Sequence, residues 1–398
     1  MARRTLGRTE IALAVLFAVA IIAAGSVALY IVSTQSEPLY TDPAAVPSAS
    51  AGAPAGHASA VGGAQRVTRA AIVEWNFPGL SVAAARDGEI VWAEGFGFAD
   101  SERQKPVTPR TRFRTGSVSK TLTAAGVALL YDRKRVELDA PVQTYVTAYP
   151  KKEWTVTTRQ LLGDIGGVHR LRGDGQDGGN DQTPRGICKT VGEALKTFAY
   201  EPLAFEPGTK YRFSTSGWIL LSAVVEEAAG EPFAAFMSRE VFKPLGMDRT
   251  ALEGMDDDPD TAEFDSKRTE QEGPLAADYS CTVGASAFLS TPSDLVRIGS
   301  AMLKPGLLKA ETIALFRTPL TLRSGASTGF ALGWKVDTLP LDGSPVRVVR
   351  HRASAIGGAT SLYLVPDRGL VIAVMSHVPN TVGLEEIALK IAGVFIAN

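Results

Sequence analysis

Ser117 and Lys120 stand three residues apart in FRTGSVSKTLTAAGVALLYD, at the head of an apolar run with helical character. Residues at that spacing share one face of a helix, about one turn apart. A serine hydroxyl is a poor nucleophile until a base removes its proton. A neutral lysine amine can be that base, and burial together with the positive end of a helix disfavours the ammonium form. The backbone N–H of Ser117, unpaired in a first turn, suits a developing oxyanion. The chemistry implied is acyl transfer through an ester on Ser117. The same residues also fit a plain helix start, with Ser117 or Ser119 as cap and Lys120 as a surface charge. The surroundings favour the chemical reading: Gly116 precedes the serine, and a hairpin lies just upstream.

That hairpin is LSVAAARDGEIVWAEGFGFAD, two apolar runs around Asp87-Gly88, a dipeptide that favours a tight turn between antiparallel strands. From about 139 to 325 the pattern is mostly helical patches and loops, among them TTRQLLGDI, SGWILLSAVVEEAAG and TPSDLVRIGSAML. Two polar stretches read as exposed loops, 173–186 and the acidic EGMDDDPDTAEFD at 253–265. Strands return in GFALGWKVD, PVRVVRHR, ATSLYLVPD and GLVIAVMSH, and a helix over about 384–396 closes the chain. Strands at both ends with helices between predict an α/β (α+β) fold: one antiparallel sheet in which N- and C-terminal strands meet, flanked by helices, with an inserted helical region.

The chain of 398 residues is 45% hydrophobic and 21% charged, enough for a substantial core. With 41 basic and 42 acidic residues it carries no bias toward nucleic acid. No metal-ligand spacing occurs and no cofactor is implied. Cys188 and Cys281 are the two cysteines, either paired or free. Residues 11–32 carry no charge, long enough for a membrane-spanning helix, and Arg3, Arg4 and Arg8 in the basic stretch 1–10 precede them. The expectation is a single-pass anchor at 11–32 with the remainder on the extracytoplasmic, periplasmic side; a signal peptide cut near Ala23–Ser26 exports the same remainder. An Ala/Pro/Ser/Gly-rich tether is expected over 33–66, and a folded domain over 67–398.

Several ordered segments from Pro78 to His377 carry a family resemblance: FPGLSVAAARDGEIVWAEGFGFAD, FRTGSVSKTLTA, PLAFEPGTKYRFSTSGWILLSAVVEEAAG, FKPLGM, GASAFLSTPSDLVRIGSAML and HRASAIGGATSLYLVPDRGLVIAVMS. Together they resemble the serine beta-lactamase-like hydrolases, which include penicillin-binding proteins and family VIII-type esterases. The resemblance implies Ser117 as nucleophile and Lys120 as base. It places Phe213 where the family has a proton-shuttling tyrosine, followed by Ser214 and Thr215. Phenylalanine has no hydroxyl to shuttle a proton. Tyr211 lies two residues earlier, displaced by roughly 6–7 Å along an extended chain. Thr215 is expected to hydrogen-bond Lys120 or substrate. His351-Arg352-Ala353 matches the family's His-x-Gly or Lys-Thr-Gly element. His351 then polarises or binds substrate, Ser354 N–H is the second oxyanion donor, and the Ala353 methyl crowds substrate along that strand.

Two functions follow. One is a serine hydrolase acting on esters, amides or peptides. The other, motivated by Phe213 and Ala353, is a weakened member that binds a peptide, cell-wall or lipid ligand. The missing Lys-Thr-Gly lysine argues against strong binding of beta-lactam carboxylates.

Overall fold

The computed structural model describes residues 38–52, 54–100, 102–169, 187–264, 278–341 and 343–397. Its centre is a seven-stranded sheet in the order β1-β3-β2-β10-β9-β8-β7, every neighbouring pair antiparallel. The strands are β1 (Ser48–Ser50), β2 (Gly79–Arg86), β3 (Glu89–Gly97), β7 (Lys335–Leu341), β8 (Ser344–Ala355), β9 (Gly358–Val365) and β10 (Leu370–Ser376). Strands β4 (Phe113–Arg114), β5 (Ala251–Leu252) and β6 (Phe288–Ser290) form a small second sheet. The expected junction of chain ends is the β2–β10 pairing, Leu80 opposite Ser376 through Arg86 opposite Leu370. Asp87 and Gly88 both take positive φ, 52° and 94°, the geometry of the tight hairpin turn that this dipeptide favours.

Both faces of the central strands are covered, which is why VIAVM is apolar without alternation. On one face lie α1 (Ala58–Glu74) and the C-terminal α9 (Thr381–Ala397), with Ile72, Leu80, Val82, Ile372, Val374, Leu384 and Ile391 in a common core. The other face buries Ala83, Leu362, Val371, Ala373 and Met375 with residues of the helical region. That region contributes α2 (Ser119–Asp132), α3 (Thr158–Leu162), α4 (Val191–Lys196), α5 (Thr215–Ala229), α6 (Phe233–Phe236), α7 (Pro292–Ala301) and α8 (Ala310–Phe316). α2 and α5 are buried along nearly their whole length and pack together, fixing the two segments that carry the Ser-x-x-Lys pair and Phe213.

Three expectations change. The tether ends sooner than residue 66: Ser48–Ser50 pairs with β3, and α1 begins at Ala58, its Ala64, Ala71 and Ile72 fully buried. Low-complexity composition concealed an edge strand and the small-residue start of a packed helix. GFALGW precedes β7 as irregular chain rather than strand. The acidic stretch is not merely a solvated loop. Glu253 is held by Arg114, Asp256 by Arg112, and Asp258 by Arg112 and Arg249. Arg112 is 2% and Arg114 5% exposed, so these carboxylates balance buried cations.

Residues 11–32 and the loop 173–186 lie outside the described residues. Among the described residues no helix is long and apolar enough to cross a membrane, and no cluster of side chains has the makings of a metal site.

Candidate active site

The segment that carries Ser117 begins with a turn that favours glycine. Gly116 takes φ +50°, and a Cβ there would meet Ser354 O at 3.0 Å and the Ala353 Cβ at 3.1 Å. Its absence lets the single 3-10 turn Gly116–Val118 press against β8 before α2 begins at Ser119. Neither serine caps the helix. The Thr115 hydroxyl donates to Phe288 O at 2.8 Å, which leaves Ser119 to donate to Thr115 Oγ1 at 2.7 Å. Ser117 is engaged with Lys120 instead: Nζ and Oγ stand 3.0 Å apart. Lys120 is not a surface charge, being 1% exposed, with Nζ also 3.5 Å from Ala285 O and 4.0 Å from the centre of the Phe213 ring.

Beside this pair opens a cavity of about 240 Å³, walled by Leu162, Phe213, Trp218, Phe330 and Trp334 among others. Phe213 thus stands beside the amine, offering Lys120 a ring face and no proton. Tyr211 lines the same cavity and stacks on Phe330 at 4.4 Å. Burial and the nearby Asp164 raise its pKa, so the phenol holds its proton and makes a poor base. Ser214 caps α5 by accepting from Gly217 N at 3.1 Å, and Thr215 follows in the first turn. The expected Thr215–Lys120 hydrogen bond is not formed. Thr215 is 3% exposed, and its Oγ1 has no partner among the described residues.

β8 brings the third element. β7 pairs only with Ser344–Arg350, so the edge of His351–Ala355 is left open toward the nucleophile turn. In an antiparallel strand the N–H and C=O of one residue point to the same edge. Ser354 O points at Gly116, so Ser354 N–H faces that side as well, as an oxyanion donor requires. The Ala353 methyl is buried against Gly116 and is not part of the cavity wall, so it does not crowd substrate there. His351 lines the cavity, with Nδ1 3.0 Å from Gly333 O. A carbonyl only accepts, so Nδ1 carries the proton and Nε2 is left as acceptor. Burial, with Lys120 and Arg350 adding to it, depresses its pKa to about 4, leaving the ring neutral at pH 7.

Asp164 was missed by sequence reasoning. It follows α3 at φ +52° and lines the cavity. Its Oδ1 accepts from Trp218 Nε1 at 3.1 Å and Ser214 N at 3.2 Å. Burial pushes its pKa up to about 7, opposed chiefly by the positive charge of Lys120. An aspartate in a Gly-Asp turn carries no sequence signal for this. Nor did spacing settle the cysteines, which the structure pairs across 93 residues.

The arrangement holds a serine, a buried lysine and an open strand edge around an aromatic cavity. The beta-lactamase family model matches residues 64–392. The chain is 29% identical to the mitochondrial serine beta-lactamase-like protein LACTB of Bos taurus, over 79% of this chain and 75% of that protein. It resembles the octameric penicillin-binding protein homologue from Pyrococcus abyssi with a TM-score of 0.67 and 23% identity, covering 85% of this chain and 78% of the other. A D-stereospecific amidohydrolase from Streptomyces sp. superimposes with a TM-score of 0.67 and 21% identity, over 85% and 99% of the two chains.

Proposed function

The chain belongs to the beta-lactamase family, whose members are serine hydrolases, and from that premise we propose that it hydrolyses esters through an acyl-enzyme on Ser117. The observation that carries the reading is the 3.0 Å approach of Lys120 Nζ to Ser117 Oγ in a buried setting. Lys120 takes the serine proton, the carbonyl carbon is attacked, and N–H groups of Ser117 and Ser354 face the oxyanion. Neutral His351 offers Nε2 as an acceptor to substrate. Phe213 supplies no proton to a leaving group, which favours esters over amides, since an amine leaves only when protonated. The domain is exported and tethered to the membrane by residues 11–32, on the strength of their uncharged composition and the arginines before them.

A fluorophosphonate tests the nucleophile. It should modify the wild-type protein at Ser117 and leave Ser117→Ala unmodified; persistent labelling of the variant refutes the assignment. The Phe213 ring over Lys120 also favours a second reading, a weakened enzyme that binds a peptide, cell-wall or lipid ligand. Absence of both labelling and ester turnover in the wild type selects it.

A further inference from the structure

We propose that Asp164 is a further acid–base group of this site, taking over the proton-donating role that Phe213 leaves vacant. The inference rests on the hydrolase reading. Asp164 lines the same cavity as Phe213, Tyr211 and His351. Its Oδ1 is fixed by Trp218 Nε1 and Ser214 N, whereas Oδ2 takes no hydrogen bond among the described residues. One oxygen is therefore anchored and the other remains able to carry a proton. A carboxyl in such a wall favours its neutral, donating form, because desolvation penalises the anion. The groups facing it are Lys120 from α2, Tyr211 from the loop before α5 and Trp218 from α5. Across the cavity stand His351 and, at the rim, Lys335, Arg350 and Arg352. The last two are paired with Glu385 and Arg350 also with Asp337, so Lys120 is the cation that bears on Asp164.

The proton inventory closes without any co-reactant. In acylation Ser117 Oγ–H gives its proton to the Lys120 amine, Oγ bonds to the acyl carbon, and the leaving alkoxide takes the Asp164 proton. The resulting ammonium and carboxylate then exchange one proton and return to amine and acid. In deacylation water gives a proton to Lys120 and its oxygen to the acyl carbon, Ser117 Oγ regains a proton from Asp164, and a second transfer from the ammonium to the carboxylate restores amine and acid.

Asp164→Asn keeps shape and acceptor, and asparagine tolerates the positive φ. Pre-steady-state and single-turnover kinetics of wild type and variant on p-nitrophenyl acetate and ethyl acetate, over pH 5–9, separate acylation from deacylation and supply the first readout. The nitrophenolate departs without protonation; ethoxide does not. Acylation by ethyl acetate should slow about 10²-fold or more in the variant, while the nitrophenolate burst from p-nitrophenyl acetate changes little; the later deacylation, which draws on Asp164 in both cases, slows alike. The alkaline decline near pH 7 in the wild-type ethyl acetate profile should disappear. Equal losses in the acylation of both esters with unchanged pH profiles overturn the assignment alone. Cleavage of neither ester by wild type overturns the hydrolase reading and this assignment with it. The second readout needs no substrate: the indole N–H resonance of Trp218 should titrate near pH 7 in wild type and not in the variant. A resonance flat across that range overturns the proposal.

Discussion

At the residue scale the substitution at 213 stands against one amine. Lys120 has Ser117 on one side and the face of Phe213 on another. Phe213→Tyr would bring a hydroxyl into the cavity. We predict a rise in turnover for esters with poor leaving groups, with a much smaller change for p-nitrophenyl acetate. Kinetics on the matched pair decide it, and no change on either ester would show that position 213 is not where the proton is missing. His351 carries a second prediction, on stability. Its folded pKa, about 4, lies below the ordinary 6.5, so between those values the unfolded chain binds the extra proton. Stability contributed by the neutral ring is present above pH 6.5 and is lost as pH falls toward 4. Denaturant unfolding of His351→Gln should show a shallower loss over that window than wild type. Parallel profiles would mean that the ring is not held neutral.

At the scale of elements, the helix that follows Ser117 is held by segments distant in sequence. Thr123 Oγ1 donates to Gly284 O, and Ala285 O lies near Lys120 Nζ. The Cys188–Cys281 disulfide ties that segment to the chain just before α4. Tyr279, in the same stretch, accepts from Ile356 N just past the open edge of β8. Closing a loop between residues 93 apart restricts the unfolded chain by about 3–5 kcal/mol. Cys188→Ser should lower the denaturation midpoint accordingly, and it should slow fluorophosphonate labelling because the wall behind Lys120 loses a tether. An unchanged midpoint would mean that the bond is not formed in the purified protein.

For the whole molecule, the early start of folded structure changes the geometry of the proposed anchor. Leu39 N is already tied to Asn76 Oδ1 at 2.7 Å, and the edge strand begins at Ser48. An anchor at 11–32 therefore leaves only the few residues before Leu39 as free tether, spanning at most about 20 Å when extended. The domain is then expected to ride close to the membrane rather than on a long leash. Protease added to intact spheroplasts should digest the domain, and full protection would place it on the other side.

The sequence by itself determined the main strands of the sheet apart from the edge strand β1, the hairpin at Asp87-Gly88, the Ser117–Lys120 pair and the substitution at 213. The first three are local, a periodicity, a turn dipeptide and a spacing along one helix, and the substitution at 213 is what the family resemblance implied. The tertiary structure decided the rest, because the rest depends on what approaches from elsewhere. The burial of Lys120 comes from Phe213 and Ala285. Arg112, Arg114 and Arg249 turn an acidic loop into a set of counter-ions, and Gly116 is read only against β8. A flexible-looking segment became α1 because α9, more than 300 residues away, supplied a surface to bury it against. Asp164 gained a raised pKa from its wall of aromatic side chains, an environment that no neighbour in the chain announces.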